Sequence, residues 1–487
     1  MKDFRLYKIK ELIVMKNLMY VISFFNQARF ALGLTRYLRV NSKRYVLFTM
    51  WIYSFFCVVA QSLPIETKIP ERPSGQKDVI ELRTEPIPNV RIAIIGLGKR
   101  GIGAVYRLSK IETAKIVAIC DLQQRYIDRA VSKLDYSVDT YTKEDDWKRI
   151  CERKDVDLVY VCTHWDLHTP IAVYAMEHGK HVALEVPAAL TMEECWSLVD
   201  TAERTQRHCM MLENCNYDFF ELATLNMAQK GLFGEVIHAE GAYIHDLRGI
   251  LFEDGNYWKN WRLKHNALNI GNLYPTHGLG PIAHAMNIHR GDKMNYLVTV
   301  STNQFSMTEF AKKKFGEDSD QAKAEYKHGD MNTTLIRTEN GKNILIQHNI
   351  VTPRPYSRLH SLTGTKGFAQ KYPVESLAFE PNAHSFLDEN KKDSLLRVYE
   401  HPIIKDIKLK AKKIGGHGGM DFIMDYRLIY CLNNGLPLDM DVYDCVEWSC
   451  LVPLSRLSLE NNSAPVKIPD FTRGAWKKVD KVTYYMK

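Results

Sequence analysis

The stretch Arg91-Ile-Ala-Ile-Ile-Gly-Leu-Gly-Lys-Arg-Gly-Ile-Gly103 decides the fold of the first half of this 487-residue chain. Its short apolar run predicts a buried parallel strand. Gly96, Gly98 and Gly101 follow at G-x-G-x-x-G spacing, which is typical of a dinucleotide-binding turn between a strand and a helix. The first glycine permits the tight turn, the second lets backbone amides approach a pyrophosphate, and the third lets the helix pack closely on the strand.

A second strand indicates which dinucleotide binds. Lys115-Ile-Val-Ala-Ile-Cys120 is followed by Asp121, twenty residues after the third glycine. An acid at this point accepts hydrogen bonds from the adenosine ribose and repels a 2′-phosphate. The sequence therefore favours NAD over NADP. Arg125 argues for NADP, but we interpret it as a solvated helix residue.

The alternation of strands and helices continues over residues 89–215. Strands are predicted at 157–163, 181–185 and 208–214, and Thr191 and Glu194 form a capping box that opens a helix to about Arg207. This pattern predicts a Rossmann domain, a doubly wound parallel sheet that binds ligands at the carboxyl ends of its strands. The residues at those ends are Thr163–His168, Glu185 and Asn214.

The pattern changes in residues 216–487, after a helix over Phe219–Gln229. Strands are predicted at 235–245, 296–304, 332–337, 343–351 and 358–364, without regular helices between them. We therefore expect an α+β domain with an open, mostly antiparallel sheet. Later helices are predicted at Met420–Leu432 and at Tyr443–Leu457, the second broken or kinked at Pro453.

The N-terminal 60 residues differ from the rest of the chain. Residues 1–44 contain ten Lys or Arg and two Asp or Glu, which accounts for the whole formal charge of +8. Lys43-Arg44 and the apolar run Tyr45–Ala60 resemble a secretory signal peptide that ends near Ala60, so export to the periplasm is expected. An uncleaved membrane anchor and a later translation start remain open. Residues 61–88, rich in Pro, Glu and Lys, predict a linker.

Several classes of function are disfavoured. Because residues 61–487 carry no net charge, no nucleic-acid partner is expected. No H-E-x-x-H motif or Cys/His cluster is present, so no catalytic metal is expected. Nine cysteines remain after Cys57, an odd number without a C-x-x-C pair, which favours buried reduced thiols over a disulfide framework.

Longer motifs carry a family resemblance. They are His164-Trp-Asp-Leu-His-Thr-Pro170, Glu185-Val-Pro187, Met210–Cys215, Ala242–Arg248, Tyr257–His265, Asn272–Pro281 and Gly415–Met424. From about Asn89 to the C-terminus the chain resembles the Gfo/Idh/MocA oxidoreductases, and more narrowly glycoside hydrolase family 109, the NAD-dependent α-N-acetylgalactosaminidases. The resemblance implies a glycosidase that binds NAD and acts on a glycan with terminal N-acetylgalactosamine.

The chain departs from the parent family where a dehydrogenase needs its lysine. Typical Gfo/Idh/MocA dehydrogenases carry Glu-Lys-Pro, whereas this chain has Val186 at the lysine position. Their Asp-x-Gly-x-His motif is also altered, because Leu273 takes the Asp place and Tyr274 appears beside it, while His277 remains. These changes argue against an ordinary NAD-dependent sugar dehydrogenase, which stays the alternative hypothesis.

The resemblance also implies site residues. NAD contacts are implied for Gly96, Gly98, Lys99, Arg100, Gly101, Asp121, Trp165, Asp166, Leu167, His168, Glu185, Val186, Asn214 and Tyr274. Substrate contacts are implied for Tyr243, Arg262, Tyr274, Pro275, Thr276, His277 and Tyr356. His245 and His417 are either site neighbours or turn residues.

NAD-dependent glycosidases are exceptions to the usual two-carboxylate mechanism. The implied reaction oxidises the sugar at C3, removes the C2 proton, eliminates the aglycone, adds water and reduces C3 again, with retention and no net use of tightly bound NAD. Tyr274, His277 and Tyr243 are the catalytic candidates. Tyr274 and His277 are assigned to the C3–C2 edge in either order, and Tyr243 with Tyr356 to the glycosidic oxygen. Arg262 would hold sugar hydroxyls or the acetamido carbonyl.

A non-catalytic sugar-binding protein is a third hypothesis, which the full set of site residues disfavours. The sequence leaves the sugar epimer and anomer open. It also leaves open whether the chain forms a homo-oligomer, and any membrane attachment would come only from an uncleaved N-terminal anchor.

Overall fold

The computed structural model describes residues 64–253 and 256–486. The first part alternates strands with helices, in the order β1 (Val90–Ile95), α1 (Lys99–Leu108), β2 (Ala114–Cys120), α2 (Gln124–Val131), β3 (Asp139–Tyr141), α3 (Asp146–Cys151), β4 (Leu158–Val161), α4 (His168–Glu177), β5 (His181–Leu184), α5 (Met192–Thr205) and β6 (Cys209–Met211).

These six strands form one parallel sheet in the order β3-β2-β1-β4-β5-β6. The strand order reverses its direction between β1 and β4. A crevice therefore forms at the carboxyl ends of these two strands, and doubly wound sheets bind dinucleotides in such a crevice. Strands β4 and β5 are buried at every residue because helices cover both faces of the sheet. The predicted Rossmann fold is confirmed.

The second part contains the remaining helices and strands. They are α6 (Phe219–Gln229), β7 (Val236–Ile244), α7 (Arg248–Leu251), α8 (Trp261–Leu268), α9 (Thr276–Ala285), β8 (Met294–Ser301), α10 (Ser306–Phe315), α11 (Asp320–Lys323), β9 (Asn332–Thr338), β10 (Asn343–Asn349), β11 (Ser361–Gly364), β12 (Gly367–Gln370), β13 (Ser376–Phe379), α12 (Glu389–Val398), α13 (Lys408–Ile414), α14 (Met420–Asn434), α15 (Val442–Ser449), α16 (Leu451–Glu460) and β14 (Val466–Lys467). Short 3-10 turns lie at Trp165–Leu167, Asn214–Tyr217, Trp258–Asn260, Pro402–Ile404, His417–Gly419 and Ala475–Lys478.

The second sheet has the order β13-β12-β11-β7-β10-β9-β8-β14. Strands β7 and β10 are parallel, and the other neighbouring pairs in this sheet are antiparallel. The prediction of an open, mostly antiparallel sheet is therefore confirmed. Helix α9 packs on β7 at very short range, because a Cβ at Gly241 would lie 2.2 Å from the carbonyl oxygen of Gly278. This approach brings the side chains of α9 next to those of β7.

Two predicted helix features, the capping box at Thr191 and the break near Pro453, lie close to their predicted positions. Thr191 caps α5, and its hydroxyl accepts from the backbone N–H of Glu194, whose own side chain accepts from the N–H of Thr191. The predicted helix over 443–457 is two helices, α15 and α16, which meet at Cys450. The break lies upstream of Pro453 because the proline ring clashes with the carbonyl of the residue four positions earlier, Ser449.

Residues 64–88, the described part of the predicted linker 61–88, lie against later parts of the chain. The N–H of Ile65 bonds to the carbonyl of Pro465, and the N–H of Val79 donates to the Tyr443 hydroxyl at 3.2 Å. The predicted signal peptide over Tyr45–Ala60 lies outside the described residues. Among the residues that are described, no helix is both long and apolar enough to span a membrane. All nine described cysteines are free thiols, as predicted.

A buried ionic cluster joins the turn after α9 to α15. The ring nitrogen Nδ1 of His289 lies 2.8 Å from Glu447, and Arg290 donates two hydrogen bonds to Asp444 at 2.8 and 3.0 Å. Burial and the charge of Arg290 act against protonation of His289. The carboxylates of Asp444, Asp441 and Glu447 outweigh them and raise the pKa of His289 to about 10. His289 is therefore a buried cation at neutral pH.

We expect His289→Gln to lower the free energy of unfolding at pH 6.5 by on the order of 3 kcal/mol, because it leaves the buried carboxylate of Glu447 without its charged partner. The folded-state pKa lies above the unfolded value of about 6.5, so the stabilisation is complete below pH 6.5 and is lost as the pH rises through about 10. Urea unfolding of both proteins from pH 6.5 to 10.5 measures this. A difference that does not shrink with pH, or an equal effect of His238→Gln on strand β7, contradicts the prediction.

Candidate active site

The glycine turn leaves an open cradle at the end of β1. Gly96 has a φ of +89°, and a Cβ there would lie 2.6 Å from the carbonyl carbon of Cys162, so the turn presses on the end of β4. A Cβ at Gly101 would lie 1.9 Å from the carbonyl oxygen of Gly96, so α1 starts directly against the turn. A Cβ at Gly98 would meet nothing within 4 Å. This open side, at the N-terminus of α1, fits a pyrophosphate.

Asp121 closes the same turn from the end of β2. Its Oδ2 accepts a hydrogen bond from the N–H of Leu97 at 2.7 Å, and its Oδ1 accepts from the N–H of Gln123 at 2.8 Å. The carboxylate therefore lies at the glycine turn, where an adenosine ribose would meet it. Arg125 is exposed, and its guanidinium lies over the ring of Tyr126. The residues present fit NAD.

The ends of β4 and β5 are fastened together by a buried histidine. Nδ1 of His168 lies 2.8 Å from the carbonyl oxygen of Pro187, and its Nε2 lies 3.1 Å from that of Thr163. Burial lowers the pKa of His168, although both carbonyls act in the opposite direction. His168 thus connects the turn 163–168 to the segment containing Glu185 and Val186. Most of the implied cofactor residues lie along this edge of the sheet.

Helix α9 presents the two main catalytic candidates. Tyr274 precedes the helix and His277 lies in its first turn, with ring centroids 4.9 Å apart in an edge-to-face arrangement. Tyr274 is also 6.0 Å from Trp165, which belongs to the turn after β4. Burial raises the pKa of the Tyr274 phenol well above its usual value, while the nearby Arg262 acts to lower it. The phenol is therefore protonated at neutral pH.

The carboxylate of Glu213 contacts Nδ1 of His277. Glu213 was not predicted as a site residue from the sequence. Its side chain is fully buried at the end of β6, and its two oxygens lie 2.7 and 2.9 Å from Nδ1 of His277. Burial opposes ionisation of Glu213, but the adjacent His277 lowers the pKa of this carboxyl below its usual value. An ionised carboxylate at Nδ1 orients the imidazole and leaves Nε2 available for proton transfer.

Tyr243, on β7, lies on the other side of this pair. Its ring centroid is 4.6 Å from that of Tyr274 and 5.4 Å from that of His277. Its hydroxyl lies 3.2 Å from Nδ1 of His245, whose ring meets that of Tyr356 at 5.2 Å. Burial raises the pKa of Tyr243 and of Tyr356. His245 therefore contacts two predicted substrate residues, Tyr243 and Tyr356.

Arg262, on α8, is a buried cation without a carboxylate partner among the described residues. Its Nη1 donates to the Tyr257 hydroxyl at 3.0 Å, while Nε and Nη2 have no hydrogen-bond partner in the described chain. Its guanidinium lies 4.8 Å from the ring centroid of Tyr274 and 5.9 Å from that of Tyr243. Buried donors without partners are costly, so this arrangement fits a ligand that supplies acceptor oxygens.

The other implied residues surround this centre less closely. Lys99 is exposed in the first turn of α1, and Asp166 lies between His164 and His265. Pro275 and Thr276 begin α9.

Two groups of side chains in the described chain have possible metal-ligand atoms within 4.8 Å of one another. The first consists of Glu213, Cys215 and His277, and the second of His289, Asp441 and Asp444.

Comparison with known families decides the membership of the chain. A model of the oxidoreductase family with an NAD-binding Rossmann fold matches residues 90–213, and a model of the glycosyl hydrolase 109 C-terminal domain matches residues 217–478. The chain belongs to glycosyl hydrolase family 109. The family resemblance predicted from the sequence motifs is therefore confirmed.

Curated members of family 109 are similar over nearly their whole length. A protein of Bacteroides fragilis named alpha-N-acetylgalactosaminidase is 56% identical over 411 residues, which cover 83% of this chain and 97% of that protein. A glycosyl hydrolase family 109 protein of Porphyromonas gingivalis is 52% identical and covers 86% of this chain and 92% of its own length.

Solved structures support the fold of this family 109 chain. A scyllo-inositol dehydrogenase from Lactobacillus casei with bound NAD(H) and scyllo-inositol has a TM-score of 0.55 at 14% identity, and covers 78% of this chain and 99% of its own. An oxidoreductase domain protein from Kribbella flavida has a TM-score of 0.59 at 19% identity, and covers 79% of this chain and 100% of its own. At these identities the similarity concerns the fold alone.

Proposed function

We propose that this family 109 protein hydrolyses terminal α-N-acetylgalactosamine from glycans, with NAD that stays bound and is restored in every cycle. The observation that carries the proposal is the contact of Tyr274 with His277, whose Nδ1 is held by the buried Glu213 after β6, in a domain whose sheet also carries the open turn at Gly98. The name of the Bacteroides fragilis relative, alpha-N-acetylgalactosaminidase, supports the choice of sugar.

The crevice at the carboxyl ends of β1 and β4 would hold the cofactor. Gly98 and the start of α1 would bind the pyrophosphate, and Asp121 the adenosine ribose. Glu185 and Asn214 would lie at the nicotinamide end. When bound, NAD supplies a reversible two-electron oxidation of the sugar at C3.

His277 and Tyr274 would move protons at the C3 hydroxyl and at C2. Because Glu213 holds Nδ1 of His277, Nε2 is the atom that can accept a proton from the sugar. The buried Tyr274 hydroxyl carries a proton at neutral pH, and Arg262 lies close enough to stabilise its anion when the proton leaves. A ketone at C3 makes the C2 proton acidic enough for such a base to remove, and the glycosidic bond then breaks by elimination.

Tyr243, His245 and Tyr356 would act at the leaving oxygen. A buried phenol of raised pKa is a weak acid alone, but His245 lies 3.2 Å from the Tyr243 hydroxyl and can exchange its proton. Arg262 would bind sugar hydroxyls or the acetamido carbonyl through Nε and Nη2, which have no other partner in the described chain. These contacts fix the ring relative to the C2 and C3 bases.

A dehydrogenase with net cofactor turnover is the less favoured function. Val186 occupies the position where Gfo/Idh/MocA dehydrogenases carry their lysine, and its side chain is buried and apolar.

Export, proposed from Lys43-Arg44 and the apolar run to Ala60, agrees with a cofactor that is recycled. An exported enzyme cannot draw on cytoplasmic NAD, so it needs a cofactor that is carried along and regenerated.

We expect purified protein to release the aryl alcohol from an aryl α-N-acetylgalactosaminide without added NAD. NMR of the product should give the α-anomer first, as retention requires. A parallel reaction with free N-acetylgalactosamine and added NAD should give no net NADH absorbance. The same hydrolysis assay on cell fractions tests export, which predicts activity in the periplasmic fraction.

The three hypotheses differ in this assay. Reduction of external NAD without aryl release would indicate a dehydrogenase, and absence of both reactions would indicate a sugar-binding protein. Hydrolysis by protein that contains no NAD after denaturing extraction would contradict the proposed mechanism. The β-linked aryl glycoside and the α-linked glucose epimer are the controls for anomer and sugar preference.

A further inference from the structure

The carboxylate of Asp421, in the C-terminal part of the chain, accepts hydrogen bonds from side chains at the proposed cofactor crevice. Asp421 lies in the first turn of α14, and its side chain is 2% exposed. Its Oδ2 accepts a hydrogen bond from Nη1 of Arg100 at 3.0 Å, and its Oδ1 accepts one from the amide of Asn214. Arg100 also donates through Nε to Glu185 at 2.7 Å. Three residues that the family resemblance assigns to NAD are thus connected through Asp421.

A glycine turn brings His417 to the same point. Residues 415–419 all have positive φ, from 45° at His417 to 116° at Gly419, and His417 is the only one that is not glycine. Nδ1 of His417 lies 2.9 Å from Asp421, 3.4 Å from Asn214 and 3.5 Å from Arg100. The His417 side chain is 58% exposed, so it borders the crevice and is open to solvent.

The charges around Asp421 favour an ionised carboxylate that holds its partners rigidly. Burial opposes ionisation, but Arg100, His417 and Arg107 lower the pKa of Asp421 far below its usual value. The N-terminus of α14 adds a positive dipole end. Hydrogen bonds to a charged group are stronger than neutral ones, and a binding site already in its bound geometry loses less entropy when the ligand arrives.

We propose that the segment 415–421, named here the clasp segment, retains NAD by holding Arg100, Glu185 and Asn214 in the geometry that binds it. The inference rests on the proposed function, because retention matters only for a cofactor that is reused. Asp421 is a positioning residue, since it acts through Arg100 and Asn214. Within the clasp segment, His417 carries a side chain that is exposed enough to contact the dinucleotide itself.

A matched control lies one turn further along α14. Asp425 is fully buried and accepts hydrogen bonds from Nε of Arg107 at 2.6 Å and from the Tyr160 hydroxyl at 2.7 Å. It makes no hydrogen bond to the residues implied in NAD binding within the described chain. Asp425→Asn therefore breaks a similar buried ion pair on the same helix. Arg107, which also lies 3.5 Å from Asp421, stays in place, and neither Arg100 nor Asn214 loses a partner.

The experiment measures bound NAD directly, without turnover. Wild type, Asp421→Asn, Asp425→Asn and His417→Ala are loaded with radiolabelled NAD, and label release is followed after addition of excess unlabelled NAD. We expect Asp421→Asn to release NAD about 10- to 100-fold faster, the effect of losing charge-assisted hydrogen bonds. Release from Asp425→Asn should stay within about twofold of wild type, even though breaking the buried ion pair with Arg107 lowers its melting temperature.

His417→Ala keeps the test decisive if Asp421→Asn does not fold, because an exposed side chain adds little to stability. We expect it to release NAD several times faster than wild type. The inference is overturned if the folded clasp variants retain NAD as wild type does, or if Asp425→Asn loses NAD as fast as they do. Failure of the proposed function is detected separately, as absence of wild-type hydrolysis of the aryl glycoside.

Discussion

Replacement of His277 with alanine is expected to lower kcat by about 10²- to 10⁴-fold, the contribution of a well-placed general acid or base. The imidazole lies at the Tyr274 ring with Nδ1 fixed by Glu213, so its Nε2 is left to exchange a proton at the reacting centre. Tyr274→Phe should cause a loss in the same range, because it removes the phenolic proton and leaves the ring in place.

Deuterium exchange at C2 of the sugar separates the two roles. In heavy water, wild type should introduce deuterium at C2 of recovered N-acetylgalactosamine, since the C2 proton is removed in each cycle. The variant that lacks the C2 base should lose this exchange but still oxidise C3, whereas the variant that lacks the C3 partner should lose exchange together with C3 oxidation, measured as reduction of the bound NAD. Normal exchange in both variants would remove Tyr274 and His277 from these roles.

Two further variants act as controls for this prediction. His238→Ala, on the same strand as Tyr243 but bonded to Asn343 and Glu240, should retain activity. Glu213→Gln preserves the shape of the support behind His277 but removes its charge, so we expect a smaller loss, about tenfold. A full loss in Glu213→Gln at normal melting temperature would show that the carboxylate charge is as important as the imidazole.

The parts of the fold that depend on local pattern were predictable. The turn at Gly96–Gly101, the capping box at Thr191 and the parallel sheet all follow from residues close together in sequence. The break near Pro453 was predicted, and its position upstream follows from the reach of the ring to the carbonyl of Ser449. The parallel pairing of β7 with β10 was not predictable, because strand patterns do not reveal which strands become neighbours.

The sequence motifs were sufficient to predict some of the side chains that form the candidate site, but not all of them. Tyr274, His277, Tyr243 and Arg262 come together as expected, although strands and helices far apart in the chain carry them. Glu213 and Asp421 were missed because their importance lies in partners 64 and 321 residues away, His277 and Arg100. An acidic residue directly after the apolar run Cys209–Leu212 was the one local signal for Glu213, since such a position faces the ligand edge of a parallel sheet.

The second large effect is predicted for two alanine substitutions in the glycine turn. One of them destabilises the fold, and the other weakens the binding of NAD. Gly101→Ala would place Cβ 1.9 Å from the carbonyl oxygen of Gly96, where only backbone movement can relieve the clash. We expect it to lower the free energy of unfolding by about 3 kcal/mol or more, the upper range for overpacking. Gly98→Ala would place Cβ in open space, so the free protein should stay within about 1 kcal/mol of wild type.

Gly98→Ala should instead weaken NAD binding by at least about tenfold, because its methyl group occupies the place of the pyrophosphate and disrupts hydrogen bonds from the backbone. Urea unfolding measures the first variant, and calorimetric titration of the NAD-free protein with NAD measures the second. Gly249→Ala in α7 is the control, since a Cβ there also meets nothing within 4 Å. Unchanged NAD affinity in Gly98→Ala would mean that the dinucleotide does not lie across this turn, and the roles assigned to Asp121 and Arg100 would fail with it.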